Sequence, residues 1–140
     1  MDAQIGLAQR ALFLVGRGLL GLYFIIPGIT KITGWQGMTE YMAAHGVPLI
    51  PVALTLTIIL QIGGGACLLI GYRSRLMAFL LAGLTLVINL FMHDFWNVEE
   101  AVQQGHETQN FIKNLAIMAG LMYVAGADVG APAPGEAATT

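Results

Sequence analysis

The chain has 140 residues, 56% of them hydrophobic and only 10% charged, and carries a net charge of −2. Soluble domains carry about 25% charged residues, so this composition reads as a membrane protein of a single domain. No basic run speaks for nucleic acid as a partner. The single cysteine, Cys67, excludes an intramolecular disulfide and a self-contained four-cysteine iron–sulfur site, and no C-x-x-C-H offers covalent haem.

Residues 1–9 form a polar start, and the first apolar stretch predicts a helix over 10–32, close to the roughly 20 residues that a bilayer requires. Its apolar run is too long for a cleaved signal sequence, it contains Arg17, and no convincing small-residue cleavage site follows before Lys31. Arg17, Gly21, Phe24, Gly28 and Lys31 recur at alternating spacings of four and three, which puts two cations and two glycines on one stripe. An unpartnered charge inside a membrane is costly, so this stripe is expected to face other helices. Residues 34–47 read as a loop with room for a short interfacial helix. It would start at Gly37 or Thr39 and end at Gly46, with Met38, Tyr41, Met42 and His45 on one face.

The second span is expected over 48–71, opening at Pro48 or Pro51, where a first-turn proline costs little. The linker from Tyr72 to Arg75 is short enough to make the next span, 76–93, an antiparallel neighbour. A polar stretch, 94–110, follows. In it Asn97 and Glu100 resemble a capping box for a second short surface helix. The fourth span is expected over 111–126, and 127–140 has the composition of a disordered tail. The fold class is therefore all-α, an integral membrane four-helix bundle spanning 10–126. Arg10, Arg73 and Arg75 gather on the side of the termini, and the acidic residues of the two long loops on the other. The positive-inside rule then places both termini in the cytoplasm.

The other spans repeat the polar stripe. Thr57, Gln61, Gly64 and Gly65 share a face of the second, Thr85, Asn89 and His93 a face of the third, and Lys113 with Asn114 opens the fourth. Small residues let membrane helices approach and polar ones bond across the gap. Arg17, Gly21, Gly28, Gln61, Gly64 and Gly65 are thus read as a structural seam. By the orientation above, Lys31, Asn89, His93, Lys113 and Asn114 lie toward the outer end with Trp35 and Trp96 at their level, and these are the candidate ligand-binding residues of an outward-opening polar pocket. The plainer readings are that both lysines snorkel to headgroups, that the tryptophans anchor an interfacial belt, and that Arg17 fastens the bundle. Haem b lacks facing ligands. Copper would have to draw on His45, His93, His106, Met38, Met42 and Met92, whose spacing matches no tight motif, so no metal site is expected.

Several pieces together resemble the DoxX family of small bacterial and archaeal membrane proteins. They are Arg17-Gly18-Leu19-Leu20-Gly21 with Phe24, Gly28 and Lys31; Tyr41 to Pro48; Gly63-Gly64-Gly65; Gly71 to Arg75 with Ala78; His93-Asp94-Phe95-Trp96; and Phe111 to Ala116. The resemblance covers about residues 10–125. Family members often carry a glutamate where this chain has Gln61, which can hydrogen-bond but not titrate. The resemblance implies a four-helix protein of the cytoplasmic (inner) membrane found with redox partners. These include archaeal terminal quinol oxidase, thiosulfate:quinone oxidoreductase, a superoxide dismutase and a thiosulfate sulfurtransferase. Family membership does not itself fix a reaction.

The expectation that follows is a redox-associated subunit, resident in the lipid bilayer, that binds a quinone-like or other small polar-headed ligand. Lys31, Lys113 and Asn114 would donate hydrogen bonds to its oxygens, and His93 would exchange a proton, as histidines do near neutral pH. No cofactor or redox centre is encoded, so the part is that of an accessory subunit of a quinone-linked oxidoreductase, with membrane or peripheral redox proteins as partners and a homo-oligomer admitted. A structural or assembly subunit is the alternative. A small-anion or sulfur-compound carrier ranks lower, since neither an inverted repeat nor a broken helix is evident.

Overall fold

The computed structural model describes residues 2–127, and every regular element among them is helical. Helix α1 spans Asp2–Thr33, α2 Trp35–Ala44, α3 Ile50–Ile70, α4 Ser74–Met92 and α5 Ala101–Gly126, with a short 3-10 turn at Phe95–Asn97. The remainder of the expected tail, 128–140, lies outside the described residues.

Three boundaries differ from expectation, one of them the start of α2, at Trp35 rather than at Gly37 or Thr39. Half of residues 2–9 are Ala or Gln, good helix formers, and the stretch joins α1 rather than standing apart from it. Residues 101–110 are likewise the first turns of α5, not a separate surface helix. The cap that starts them is Glu100 itself, whose carboxylate accepts hydrogen bonds from the N–H groups of Val102 at 3.1 Å and Gln103 at 2.7 Å. Asn97 instead donates to Asp94 Oδ2 at 2.9 Å. Both bonds to Glu100 satisfy amides that a helix start leaves without partners.

Helix α3 is not uniform. Its segment Leu60–Gly64 widens into a π turn, flanked by α-helical Ile50–Ile59 and Gly65–Ile70. It ends at Gly71, which takes a left-handed φ of 85° and returns its N–H to the Cys67 carbonyl at 2.8 Å. Arg73, also left-handed, completes the reversal into α4. Helix α1 has its own irregular point at Pro27, which carries no N–H for the preceding turn.

Glycines set the packing of α1 on α3. A Cβ added to Gly21 would fall 2.5 Å from the Gly65 carbonyl oxygen, and one added to Gly65 would fall 2.6 Å from that of Gly21. A Cβ on Gly28 would instead meet side-chain carbons of the π turn, Ile62 Cγ1 at 2.7 Å and Gln61 Cβ at 3.1 Å, and Gly64 on the far side of α3 meets the Leu81 side chain of α4. Helix α4 packs along α5, and α5 in turn touches α1. Toward the Gly71 end the buried core is Phe24, Leu68, Ala78, Leu81, Ala82, Leu121 and Val124. Toward the opposite end, beneath α2, it is Met42, Leu54 and Met92. Along α3 and α4 the residues between those two clusters include the buried polar side chains Gln61, Thr85 and Asn89.

The outer surface is apolar. Leu12, Leu19, Ile26, Leu56, Phe79 and Leu86 are all exposed, a pattern that suits lipid rather than water. Three segments are long and apolar enough to cross a bilayer, namely Gln4–Thr33, Ile50–Ile70 and Ser74–Asn97. In α5 the polar first turns leave a shorter apolar run beginning at Phe111.

Two expectations test this architecture. Gly65→Ala forces a methyl group into a backbone contact and is expected to cost about 1–3 kcal/mol, read as a lower thermal midpoint in detergent. Gly16→Ala, where nothing lies within 4 Å of the added Cβ, should leave the midpoint unchanged or slightly raised. The two capping amides hold the Glu100 carboxyl below the usual carboxylate range. Its contribution is therefore present above the unfolded pKa and lost as pH falls through the lowered folded value. Hydrogen exchange at the first amides of α5 should be faster in Glu100→Gln than in wild type at neutral pH, with the difference vanishing in acid.

Candidate functional site

A cavity of about 260 Å³ lies where α1, α3, α4 and α5 meet under α2. Its position follows from the helices' irregular points. Pro27 of α1 lines it, and so does Gln61, which sits in the π turn of α3. Departures from regular α-helix free backbone and redirect side chains, and within a membrane they are tolerated where they face protein or a cavity.

The deep end of the cavity carries an amide and two hydroxyls. Gln61 is 4% exposed, and its Oε1 is buried without a hydrogen-bond partner. The hydroxyls of Thr57 and Thr85 also line the cavity, but each donates its proton back to its own helix, to the Ala53 and Leu81 carbonyls at 2.8 and 2.7 Å. What they offer inward is lone pairs. Because Oε1 has almost no accessible surface, it is the Nε2 side of the Gln61 amide that borders the cavity.

The other end presents donors. Lys31 is half-buried, and its Nζ makes only a long 3.5 Å contact with the Pro27 carbonyl; among the described residues no carboxylate lies within ion-pair distance of it. His93 leaves the end of α4 and donates from Nδ1 to Glu107 Oε2 at 2.7 Å. Glu107 is buried and receives a second bond, from Gln103 Nε2 to Oε1 at 3.2 Å. A carboxylate on Nδ1 fixes the orientation of the imidazole and leaves Nε2 as the ring's other proton-exchanging position.

Helix α2 covers this end with Met38, Tyr41 and Met42. Tyr41 donates its hydroxyl to the Met92 carbonyl at 3.4 Å, and His45 Nδ1 bonds Asp94 Oδ1 at 3.1 Å. Burial, and then the negative charges of Glu107 and Asp94, push the Tyr41 phenol up, so it keeps its proton as a donor.

The residues expected to bind a ligand divide between several places. Lys31, His93 and Asn114 line the cavity. Asn89 is fully buried and ties α4 to α5: its Nδ2 donates to the Phe111 carbonyl at 3.0 Å, and its Oδ1 accepts from Asn114 Nδ2 at 2.9 Å. Lys113 is exposed and does not reach the cavity. Trp35 is exposed at the start of α2, and Trp96 packs edge-on against Phe95 and Phe111, both outside the cavity wall. Of the seam residues, Gln61 joins the cavity, while Gly21, Gly28, Gly64 and Gly65 make the helix contacts already described.

Arg17 sits at the far end, its guanidinium against Gly71 and near the Phe13 ring, with Nε buried and unpartnered. A cation beside the C-terminal end of α3 meets the negative end of that helix's dipole. Sequence reasoning missed Glu107, Gln103 and Tyr23, the last lining the cavity with its hydroxyl 3.5 Å from Asn114 Oδ1. Glu107 was readable at the heptad spacing Glu107, Asn114, Leu121, all on one face of α5, once that helix is carried back to Ala101. Among the described residues no group of three or more His, Cys, Asp or Glu is placed to hold a metal ion.

The DoxX family model matches residues 12–94. Inner membrane protein YqjF of Escherichia coli is 39% identical over 112 residues, covering 80% of each chain. Inner membrane protein YphA of the same organism is 30% identical over 121 residues, covering 86% of this chain and 85% of its own. No solved structure gives a significant match. With a family match over most of its length, two inner-membrane relatives and three apolar helices of spanning length, the chain belongs to the DoxX family and is a multi-pass inner-membrane protein.

Proposed function

We propose that this DoxX-family protein is a ligand-binding subunit whose cavity holds the head of a quinone-like or other small polar-headed molecule. The observation that carries the reading is the set of polar groups at both ends of one cavity: the unpaired ammonium of Lys31 and the Glu107-oriented imidazole of His93 at one end, the unbonded amide of Gln61 at the other. Phe24, Leu54, Ile88 and Met92 make the walls between them apolar. Such a site takes a flat or compact head with oxygens at opposite edges, each able to accept a hydrogen bond. In this reading Lys31 and His93 bind one edge, Gln61 binds the other, and Glu107 positions His93. Redox chemistry belongs to a partner protein, which this chain serves by binding and orienting the head.

The same reading has α5 crossing the membrane as a fourth span and closing a four-helix bundle, with both termini cytoplasmic. It is supported by the packing of α5 along α4 and by Arg73 and Arg75 at the α3–α4 turn, on the side where α5 ends. The cavity then opens toward the outer face. A fluorescent protein fused after the last residue should fluoresce and alkaline phosphatase fused there should be inactive; the reverse pattern would overturn the topology.

Binding is measured on the purified full-length protein in nanodiscs, by calorimetry with tailless dimethoxymethylbenzoquinone and its quinol. Loss of one charge-assisted hydrogen bond in Lys31→Ala should weaken binding about tenfold or more. Lys113→Ala, on the exposed face, should leave it unchanged. Equal affinities for wild type, Lys31→Ala and His93→Ala would sink the proposal and favour a non-catalytic assembly role, for which the Asn89–Asn114 tie and the Arg17 contact provide the packing.

A further inference from the structure

A second cavity of about 190 Å³ lies against the first. Met42, Thr57, Ile88 and Met92 border both. The rest of its wall includes Ala53 of α3 and Leu84, Val87 and Phe91 of α4, and no charged side chain lines it. Val87 and Phe91 are 52% and 39% exposed, so this cavity opens on the flank between α3 and α4. Both helices belong to segments apolar enough to cross a bilayer, which makes that flank a lipid-facing one.

The partition between the two cavities is the yielding part of the site. Two of its four residues are methionines, whose unbranched thioether chains change rotamer at little cost. The two cavities differ sharply in chemistry. The first has hydrogen-bonding groups at both ends; the second is apolar apart from Thr57, whose proton is already committed to Ala53. A fully water-soluble ligand would use the first and have no use for the second.

The geometry points to a membrane-borne amphiphile as the ligand, its compact head in the polar cavity and a single apolar tail leaving through the second cavity, between α3 and α4, into the bilayer. This rests on the head-binding reading of the polar cavity and adds the ligand's class and its route. The head's polar edges face Gln61 and Lys31, which leaves the partition at Met42 and Met92 as the side from which a tail departs. Lipid chains are as apolar as this wall, so the tail gains little by leaving them. The second cavity therefore acts through shape: it lets a tailed head seat fully, and filling it excludes the tail while sparing the head.

The test uses the full-length protein in nanodiscs and two probes with one head, decylubiquinol and tailless dimethoxymethylbenzoquinol, held reduced. Ala53→Trp fills the second cavity from α3, and Val87→Trp fills it from α4 at an exposed site that does not disturb the core. Either variant should weaken the tailed probe about tenfold, the cost of overpacking, and leave the tailless probe within about twofold of wild type. Should Ala53→Trp fail to fold, Val87→Trp decides the matter. Tailed and tailless probes weakened equally, or neither affected, would overturn the amphiphile and its lateral route while leaving the head site standing. Failure of both probes to bind wild type would overturn the head site and this inference with it.

Discussion

Backbone contact between Gly21 and Gly65 is the constraint on which the rest of the site hangs. With no side chain on either residue, each helix brings its carbonyl against the other's glycine, close enough that any Cβ would collide. Contacts of this kind hold membrane helices together by packing, since lipid supplies no hydrophobic drive between them. Two turns further along α1 the same face presents Gly28 to the π turn of α3. The register fixed at Gly21 therefore places Gln61 beside α1 and brings Lys31, one turn above Gly28, to the cavity edge. A shift of α1 along α3 would separate the two ends of the site.

Polar side chains between the helices fall into two groups, and the distinction gives the cavity its character. Asn89, Asn114, Glu107, Gln103 and His93 satisfy one another or backbone carbonyls across α4 and α5. Such a network rigidifies that half of the protein, because an unpaired polar group in a low-dielectric interior is costly. Lys31 and the Gln61 carbonyl oxygen stand outside the network, on the α1–α3 half. A rigid wall thus faces a wall with unmet hydrogen-bonding capacity. Arg17 meets its need differently, at the end of α3, and contributes to packing rather than to the cavity.

Much of this was legible in the chain. The glycine stripe on α1, the Gln61 and Gly65 face of α3, and the face of Met38, Tyr41, Met42 and His45 on α2 all follow from helical spacing. Helical spacing also put Lys31, His93 and Asn114 near one level. Two things escaped. Polarity changes abruptly between Asn110 and Phe111, so residues 101–110 read as surface, and Glu107 was lost with them. Lys113 and Asn114 are adjacent in sequence, and adjacent helical residues point about 100° apart, so only one of them could face the cavity. Choosing between them requires the rotation of α5 about its axis, which is set by the bond from Asn114 to Asn89.

The sequence by itself determined that this is an all-helical membrane protein, where its apolar helices lie and which of their faces turn inward, because composition and period report on the solvent each residue must meet. It also carried the family, through ordered motifs on successive helices. Tertiary structure alone decided which inward polar residues pair and which stay unmet. That depends on axial register and rotation between helices, set by glycine contacts and a π turn that no local pattern encodes. It decided as well that two cavities share one wall, an outcome of how α2, α3 and α4 come together rather than of any one of them.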